Sequence, residues 1–570
     1  MQTLSSTKIQ SWLVWFLRGV LILGFLVLFG RLIDLQIIRG RYFKALAEEN
    51  RIRRIPISAP RGKILARGGE ILVDSKEVKM RLIFDETEGV RKEEVKEGDS
   101  SELISEWVRN YPMGADFAHL SGYLGEVSEE ELGKVTARCQ EKGPLRIKNF
   151  VGRSGLEEAY DCSLSGYEGE ELVEVDAMGR KVRILGKVKP RQGRDLKTTV
   201  DYGLQKKIAQ SLEGKKGAVV VSDANGEIFG LFSSPSYDPN LFITKDNQNQ
   251  ISDLFQDVNL PLFNRVMGGV YHPGSTFKPI VAIAALEEEK IDKNFTFEDT
   301  GVITIKTLYG TFSYTNWFFN QYGGREGKIG LERAIARSTD TFFYTLGEII
   351  GVEKLGDWAH KFSLDEKTGI DIPGEVAGLV PGPAWKMRTK GERWFLGNTY
   401  HMSIGQGDIA LTPLGVNAAI ATIANGGEYC QPHLVSSSEL EDFQPARNAS
   451  HSDAGGCKNL GVEKENIDLV KEGMRQACST GGTGFTFFDF KEKTGIDVGC
   501  KTGTAETENS DPHAWFVAFA PLEDPQIIAT ILVENGGEGS RVAGPIAREI
   551  FNYWFKVQPS LTPTSTTANE

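Results

Sequence analysis

The apolar positions of this chain fall into one long run near the start and many short ones after it. Trp12–Phe29 is apolar except for Arg18, with Trp12 and Trp15 at one end. As a helix this run rises about 27 Å, close to the hydrocarbon thickness of a bilayer. Arg18 can snorkel to an interface. A cleaved signal peptide is the competing reading. No small-residue cleavage site follows the run, only Arg31-Leu32-Ile33-Asp34-Leu35-Gln36, which favours an uncleaved anchor. Positive charge is denser after the run (Arg31, Arg39, Arg41, Lys44) than before it (Lys8). Taken alone, that bias puts the C-terminal bulk in the cytoplasm, but long domains translocate largely regardless of charge. Orientation stays open at this point.

The short runs read as strands and helices of an α+β fold. Arg180–Val188 mixes basic and aliphatic residues as a half-buried strand does. A new regime begins near Asp195–Asp201. Gly217–Ser222 and Glu227–Phe232 are apolar runs joined across Asn225-Gly226, a hairpin signal. Pro279–Leu286 and Leu331–Arg337 predict helices. His513–Ala520 and Gln526–Glu534 predict strands, and Gly544–Phe555 a closing helix. Strands at both ends of this region predict a central antiparallel sheet built from its two ends. There are no internal repeats. The tail Pro559–Glu570 is rich in Thr, Ser and Pro and predicts disorder.

Length and composition change this picture little. The 570 residues suffice for roughly three to four domains. A net charge of −12 argues against a nucleic-acid binder and reads as solubility. Cys139, Cys162, Cys430, Cys457, Cys478 and Cys500 form no C-x-x-C pair, and the seven histidines show no metal spacing. No Walker A loop or G-x-G-x-x-G fingerprint is present. Neither a metal nor a cofactor is expected. One or two disulfides are compatible with a domain outside the cytoplasm, with pairing unreadable.

Candidate chemistry centres on Ser275-Thr276-Phe277-Lys278, a hydroxyl and an amine three residues apart. A serine at its free pKa needs a neighbouring base. Pro273-Gly274 breaks the chain before it, and Pro279 fits only the first turn of a helix. Ser275 is therefore expected at a helix start, with Lys278 one turn on as its base, its pKa lowered by burial. Ser5-Ser6-Thr7-Lys8 repeats the pattern without those signals. Ser338-Thr339-Asp340 lies between two helical patterns, where a hydroxyl and a carboxylate could relay a proton; alone it reads as a helix cap. Ser236-Tyr237-Asp238 is a similar triplet and reads as a turn. Lys501-Thr502-Gly503-Thr504 precedes the strand run His513–Ala520, which places Lys501 on an edge strand. Two further Lys-Thr-Gly triplets, at Lys367 and Lys493, lack that context. On a strand, Cys500 and Lys501 face opposite ways; with Lys501 in the cleft, Cys500 is a small buried residue.

The set S-x-x-K, S-x-D and K-T-G, in this order, resembles that of penicillin-binding proteins and serine β-lactamases. The chain resembles the class B penicillin-binding proteins, the monofunctional transpeptidase type, and most closely their penicillin-binding protein 2 branch. The likeness includes Ala59-Pro60-Arg61-Gly62-Lys63-Ile64, Gly152–Glu157, Ser234–Asn240, Ser403-Ile404-Gly405-Gln406-Gly407 and Leu411–Leu414. Asp340 stands where many relatives have Asn, as is common in that branch. Lys76–Leu120 is shorter than in typical relatives. The resemblance implies a cytoplasmic N-terminus (1–11), a transmembrane anchor (12–30), an elongated mixed pedestal of dimerisation type with a reduced outer lobe (31–194), a transpeptidase domain (195–558) and a disordered tail (559–570). Its transpeptidase domain would be a five-stranded antiparallel sheet with helices on both faces.

The resemblance further implies peptidoglycan cross-linking, with Ser275 attacking a stem-peptide D-Ala carbonyl and Lys278 as base. Ser338 would pass the proton to the leaving amine, Asp340 completes its motif, and Lys501 would supply positive potential. Thr502, Gly503 and Thr504 would hold the terminal D-Ala, with Thr502 and Thr504 on its carboxylate. The backbone N–H groups of Ser275 and Thr504 would form the oxyanion hole. It implies no metal and no cofactor. The partners would be stem peptides, the lipid bilayer and a membrane glycosyltransferase of the shape, elongation, division and sporulation family; this last rests on analogy. The catalytic domain would lie outside the cytoplasm. A D,D-carboxypeptidase or β-lactamase-type hydrolase, and an inactive β-lactam sensor or scaffold, remain as alternatives.

Overall fold

A computed structural model describes residues 11–44, 52–85, 89–94, 103–132, 139, 142, 149–175, 181–243, 247–308, 310–436, 456–507 and 510–557. The Ser5–Lys8 triplet, the first ten residues and the tail Pro559–Glu570 lie outside the described residues. The apolar run forms a helix, Ser11–Ile33, which continues in a wider turn to Ile38. The most apolar 18 residues of Trp12–Ile38 have a mean hydropathy of 2.3 and none of them is buried, so the helix is long and apolar enough to cross a membrane.

The chain divides into two compact units. The first comprises residues 1–60, 78–107 and 166–192. It holds a three-stranded antiparallel sheet in which Gly169–Val175 lies between Ile52–Ile57 and Lys181–Val188. The strand expected over Arg180–Val188 is the last of these. The second unit comprises residues 61–77, 108–165 and 193–570. Its early segments are held by a buried ionic cluster. Arg61 donates to Glu157 at 2.7 Å and to Asp161 at 2.9 Å, and Arg109 donates to Glu157 at 2.6 Å. Glu157 is fully buried, so removing either arginine would leave charge uncompensated. Two of the family-like stretches, around Arg61 and Glu157, meet in this cluster.

The core of the second unit is a five-stranded antiparallel sheet. Its strands are β1 (Gly217–Ser222), β2 (Ile228–Ser234), β3 (Gly499–Ala505), β4 (His513–Ala520) and β5 (Ile527–Val533), in the order β2-β1-β5-β4-β3. The expected hairpin across Asn225-Gly226 is β1–β2, with Gly226 at φ +92°, where a side chain would be strained. The closing strands β4 and β5 return to pair with β1. The sheet is thus assembled from both ends of the region, as expected.

The strands are apolar without alternation because both faces are covered. Ala514, Phe516 and Ala518 of β4 and Ala529 and Ile531 of β5 pack with α1 (Tyr202–Ser211) and α7 (Gly539–Trp554). Trp515, Val517 and Phe519 point to the other face with Ile528 and Leu532. That face packs with α2 (Lys278–Glu287), α3 (Leu331–Arg337), α4 (Asp340–Ile350), α5 (Pro413–Ala424) and α6 (Lys464–Ala477). The last helix starts at Gly539 rather than Gly544, with Pro545 accommodated inside it. All six cysteines are paired: Cys139–Cys162, Cys430–Cys457 and Cys478–Cys500. Cys500 is buried as expected, but as half of a disulfide rather than as a free small residue.

Candidate active site

Ser275 sits in a single 3-10 turn, Gly274–Phe277, and the α-helix proper begins at Lys278. The difference from a plain helix start has a local cause. Pro279 has no N–H to reach the Ser275 carbonyl four residues back, so the Lys278 N–H takes it at i−3. Gly274 lies at φ +54° and donates to the Gly405 carbonyl at 2.9 Å. Gly405 is itself at φ +73°, and a Cβ there would overlap the Gly274 carbonyl oxygen. Glycine at both positions is what lets the two backbones touch. Beneath the turn, the Trp515 indole donates to the His272 carbonyl at 3.0 Å. Ser275 is half-buried.

Two lysines converge beside it, and both are completely buried. Lys278 Nζ donates to Asp340 Oδ1 at 2.6 Å, to the Ser338 carbonyl at 2.8 Å and to Ser338 Oγ at 3.1 Å. Lys501 Nζ donates to the same Ser338 Oγ at 2.9 Å and to the Thr502 carbonyl at 3.0 Å. Ser338 can serve both because it stands in the left-handed region, φ +56°, at the junction of α3 and α4. A non-glycine residue held there is stored strain, the kind found at functional sites. Burial lowers the Lys278 pKa, and Asp340 acts against the shift. Lys501 is pushed well below its ordinary range by burial and then by the charge of Lys278, against the pull of Asp340. One carboxylate thus faces two buried ammonium groups, which favours a neutral amine in the pair. The Ser275 hydroxyl makes no hydrogen bond among the described residues.

The K-T-G stretch lies on β3, the edge strand expected. Its pairing partner is β4, with Thr504 opposite Ala514. Gln406 donates to the Thr504 carbonyl at 3.1 Å. Within a strand, the N–H and C=O of one residue point to the same side. The Thr504 N–H therefore points away from β4 and toward the Ser275 turn. Gly274 lies against that backbone: a Cβ on it would sit 3.4 Å from the Thr504 nitrogen. Thr502 Oγ1 donates to Thr483 Oγ1 at 2.9 Å, while Thr504 is exposed. On Gly503, a Cβ would press on Trp515 and Thr276.

The other triplets are structural. Thr368 and Gly369, after Lys367, donate to Glu375. Lys493 pairs with Asp489 in a short helix that Gly495 ends at φ +75°. Asp238, of the Ser236 triplet, caps a 3-10 turn through Asn240 N–H. Sequence reasoning did not single out Gln406, Thr483 or Trp515 for roles in the site. Gln406 lies in a stretch already noted as family-like, the one signal that could have found it.

A family model for the penicillin-binding protein transpeptidase domain matches residues 216–552, and one for the penicillin-binding protein dimerisation domain matches residues 92–198. The chain is 32% identical to the peptidoglycan D,D-transpeptidase MrdA of Acinetobacter baumannii, over 95% of this chain and 87% of that one. Among solved structures it is similar to Pseudomonas aeruginosa PBP2, solved with WCK 5153, with a TM-score of 0.70 and 31% identity over 88% of this chain and 96% of that one. It is also similar to Helicobacter pylori PBP2 in complex with MreC, with a TM-score of 0.72 and 26% identity over 88% and 98%. With the motifs converging on one cleft beside the five-stranded sheet, these matches establish that the chain belongs to the penicillin-binding protein transpeptidase family, as a class B member of the penicillin-binding protein 2 type.

Proposed function

We propose that the protein is a peptidoglycan D,D-transpeptidase that cross-links stem peptides through a Ser275 acyl-enzyme. The observation that carries this reading is the single hydroxyl, Ser338 Oγ, bridging two buried lysines beside Ser275. With the substrate carboxylate bound, Lys501 takes the charge of the pair, and Lys278 in its neutral form accepts the Ser275 proton as Oγ attacks the penultimate D-Ala carbonyl. The tetrahedral oxyanion lies between the N–H groups of Ser275 and Thr504, each such donor being worth about 3–4 kcal/mol. A hydroxyl accepts twice and donates once. With both lysines charged, Ser338 accepts from both; it gives its own proton to the leaving nitrogen and takes one from Lys278, which returns to the neutral amine. The C–N bond breaks and terminal D-Ala departs. An acceptor amine then attacks the ester, and Ser275 regains its proton. Lys501, Thr502 and Thr504 hold the terminal carboxylate, and Asp340 orients Lys278. A β-lactam fits the same cleft as an acylating mimic.

Three disulfides support a second unit folded outside the cytoplasm. The N-terminal helix then anchors the protein with its bulk on the outer side, against the local charge bias. We propose the domain division 1–11, 12–30, 31–194, 195–558 and 559–570, with the N-terminal parts facing a membrane glycosyltransferase. The MreC complex of the Helicobacter pylori protein supports a place in shape machinery.

The test is labelling of the full-length protein in detergent with a fluorescent penicillin, with the adduct mapped by mass spectrometry. The adduct is expected on Ser275, long-lived and absent from Ser275→Ala. With a donor pentapeptide and an amine acceptor, D-Ala release is expected together with the cross-linked product. Rapid adduct turnover, or D-Ala release without that product, would overturn the transpeptidase reading in favour of a hydrolase. A protease-accessible tag on the C-terminus of intact cells checks the orientation.

A further inference from the structure

Bonded to Thr341, the residue after Asp340, is a second buried carboxylate that the mechanism above does not use. Asp299 is 1% exposed and forms no ion pair among the described residues. Four donors converge on it. Oδ1 accepts from Thr341 Oγ1 at 2.7 Å and from Gly301 N–H at 2.9 Å. Oδ2 accepts from Glu326 N–H at 2.9 Å and from Asn316 Nδ2 at 3.2 Å. A buried, cation-free carboxylate is an expensive way to anchor a loop, since a neutral group of similar shape avoids the desolvation cost.

What Asp299 holds gives it a use. Asn316 is completely buried, and its main-chain N–H donates to the Gly301 carbonyl at 2.9 Å. Its side-chain oxygen accepts from Asp340 N–H at 3.4 Å. The next residue, Trp317, donates its main-chain N–H to Asp340 Oδ2 at 3.1 Å. The other oxygen, Oδ1, is the one that receives Lys278. Asp340 is therefore gripped at one oxygen by a backbone N–H whose place is set from Asp299, and offers the other to Lys278. Thr341, the residue after Asp340, is tied to the same carboxylate.

We infer that Asp299 is a positioning residue for the acylation chemistry: through Asn316, Trp317 and Thr341 it fixes the orientation of the Asp340 carboxylate against Lys278. This rests on the reading of Lys278 as the base of Ser275. The charged groups facing Lys278 Nζ are Asp340 on α4 and Lys501 on β3, and Tyr344 on α4 is the other titratable group within reach of Asp340. Loosening Asp340 weakens the one interaction that raises the Lys278 pKa. The alkaline-rising limb of acylation then moves to lower pH, while the attack itself, less well oriented, slows.

Asp299→Asn turns one acceptor oxygen into a donor facing donors, and Thr341→Val removes one donor and leaves the carboxylate. The full-length proteins are compared in detergent by the second-order rate of penicillin acylation across pH, with active-site titration and thermal denaturation. For Asp299→Asn the expected loss is about tenfold per folded molecule, equivalent to one or two hydrogen bonds, with the limb displaced to lower pH. For Thr341→Val the expected loss is about threefold with a displacement of the same sign. A lower titratable fraction with unchanged rate and unchanged limb in what remains would assign Asp299 a folding role alone and overturn the inference. If Asp299→Asn does not fold, Thr341→Val decides by the same limb. A wild-type protein that is not acylated at Ser275 would overturn the parent reading together with this one. A wild type acylated at Ser275, with both variants indistinguishable from it, would overturn only this inference.

Discussion

The two faces of the central sheet are both packed with apolar side chains, but on one side alone the packing also takes in the buried lysines of the site. On the face toward α1 and α7, Ala514, Phe516, Ala518, Ile531 and Phe551 pack with no ionisable group among them, closed at one edge by Cys478–Cys500. On the side of the other face, Lys278, Lys501 and Ser338 are buried together, and Asp299 and Asn316 are buried beside Asp340 and Thr341 at the start of α4. β3 carries both characters in consecutive residues, Cys500 toward the dry face and Lys501 toward the polar one. A buried lysine costs stability that a leucine would not. The dry face gains from burying its apolar surface, on the order of 25 cal/mol per Å². What the difference teaches is a division of labour: one face supplies rigidity, and the other is strained and desolvated to do chemistry.

That division can be broken in a definite order of severity. Ser275→Ala is the largest step on the polar face. Its penicillin adduct should vanish and turnover should fall about ten-thousandfold or more, with the melting temperature unchanged or raised. Phe516→Ala is its counterpart on the dry face. It should cost about 3–5 kcal/mol of stability by denaturant titration, while acylation per folded molecule stays within about twofold of wild type. Equal losses of acylation from both variants would dissolve the distinction. The double variant Cys478→Ala with Cys500→Ala comes next, at about 3 kcal/mol for the loop it closes. Asp340→Asn follows. It should slow acylation about thirtyfold, as loss of a charge-assisted hydrogen bond worth about 2 kcal/mol. It should also move the rising limb to lower pH, because Asp340 opposes the burial that lowers the Lys278 pKa. A limb moving to higher pH would show that Lys278 is not the group titrating.

Most of the dry face was legible in the chain. The Asn225-Gly226 hairpin and the apolar runs at His513 and Gln526 are local signals, and each strand formed where its pattern lay. The polar face was legible only through its motifs. Ser275, Lys278, Ser338 and Lys501 could be gathered because hydroxyl and amine spacings are chemically distinctive, and context separated Lys501 from Lys367 and Lys493. The 3-10 turn at Ser275 was not expected, although Pro279, whose missing N–H causes it, was already placed in the first turn of the helix. Disulfide pairing escaped because it depends on distance after folding, not on spacing. Asp299 and Asn316 escaped for a similar reason: neither belongs to a chemically distinctive spacing, and only the fold brings both to Asp340.

The gentlest test concerns Gln406, which lies between these extremes. Its side chain spans from the loop that supports Gly274 to the Thr504 carbonyl at 3.1 Å. It touches neither lysine and carries no charge. What it supplies is the tilt of the Thr504 peptide, and hence the aim of that residue's N–H toward the Ser275 turn. Gln406→Ala should therefore leave the pH limb where it is, since nothing near Lys278 changes. Acylation should slow roughly fivefold, the net worth of one neutral hydrogen bond of about 1 kcal/mol. Stopped-flow acylation at several pH values separates the two effects. A parallel drop at every pH places Gln406 with the scaffold of the oxyanion hole. A displaced limb would instead tie it to the lysine pair and extend the polar face across to Thr504.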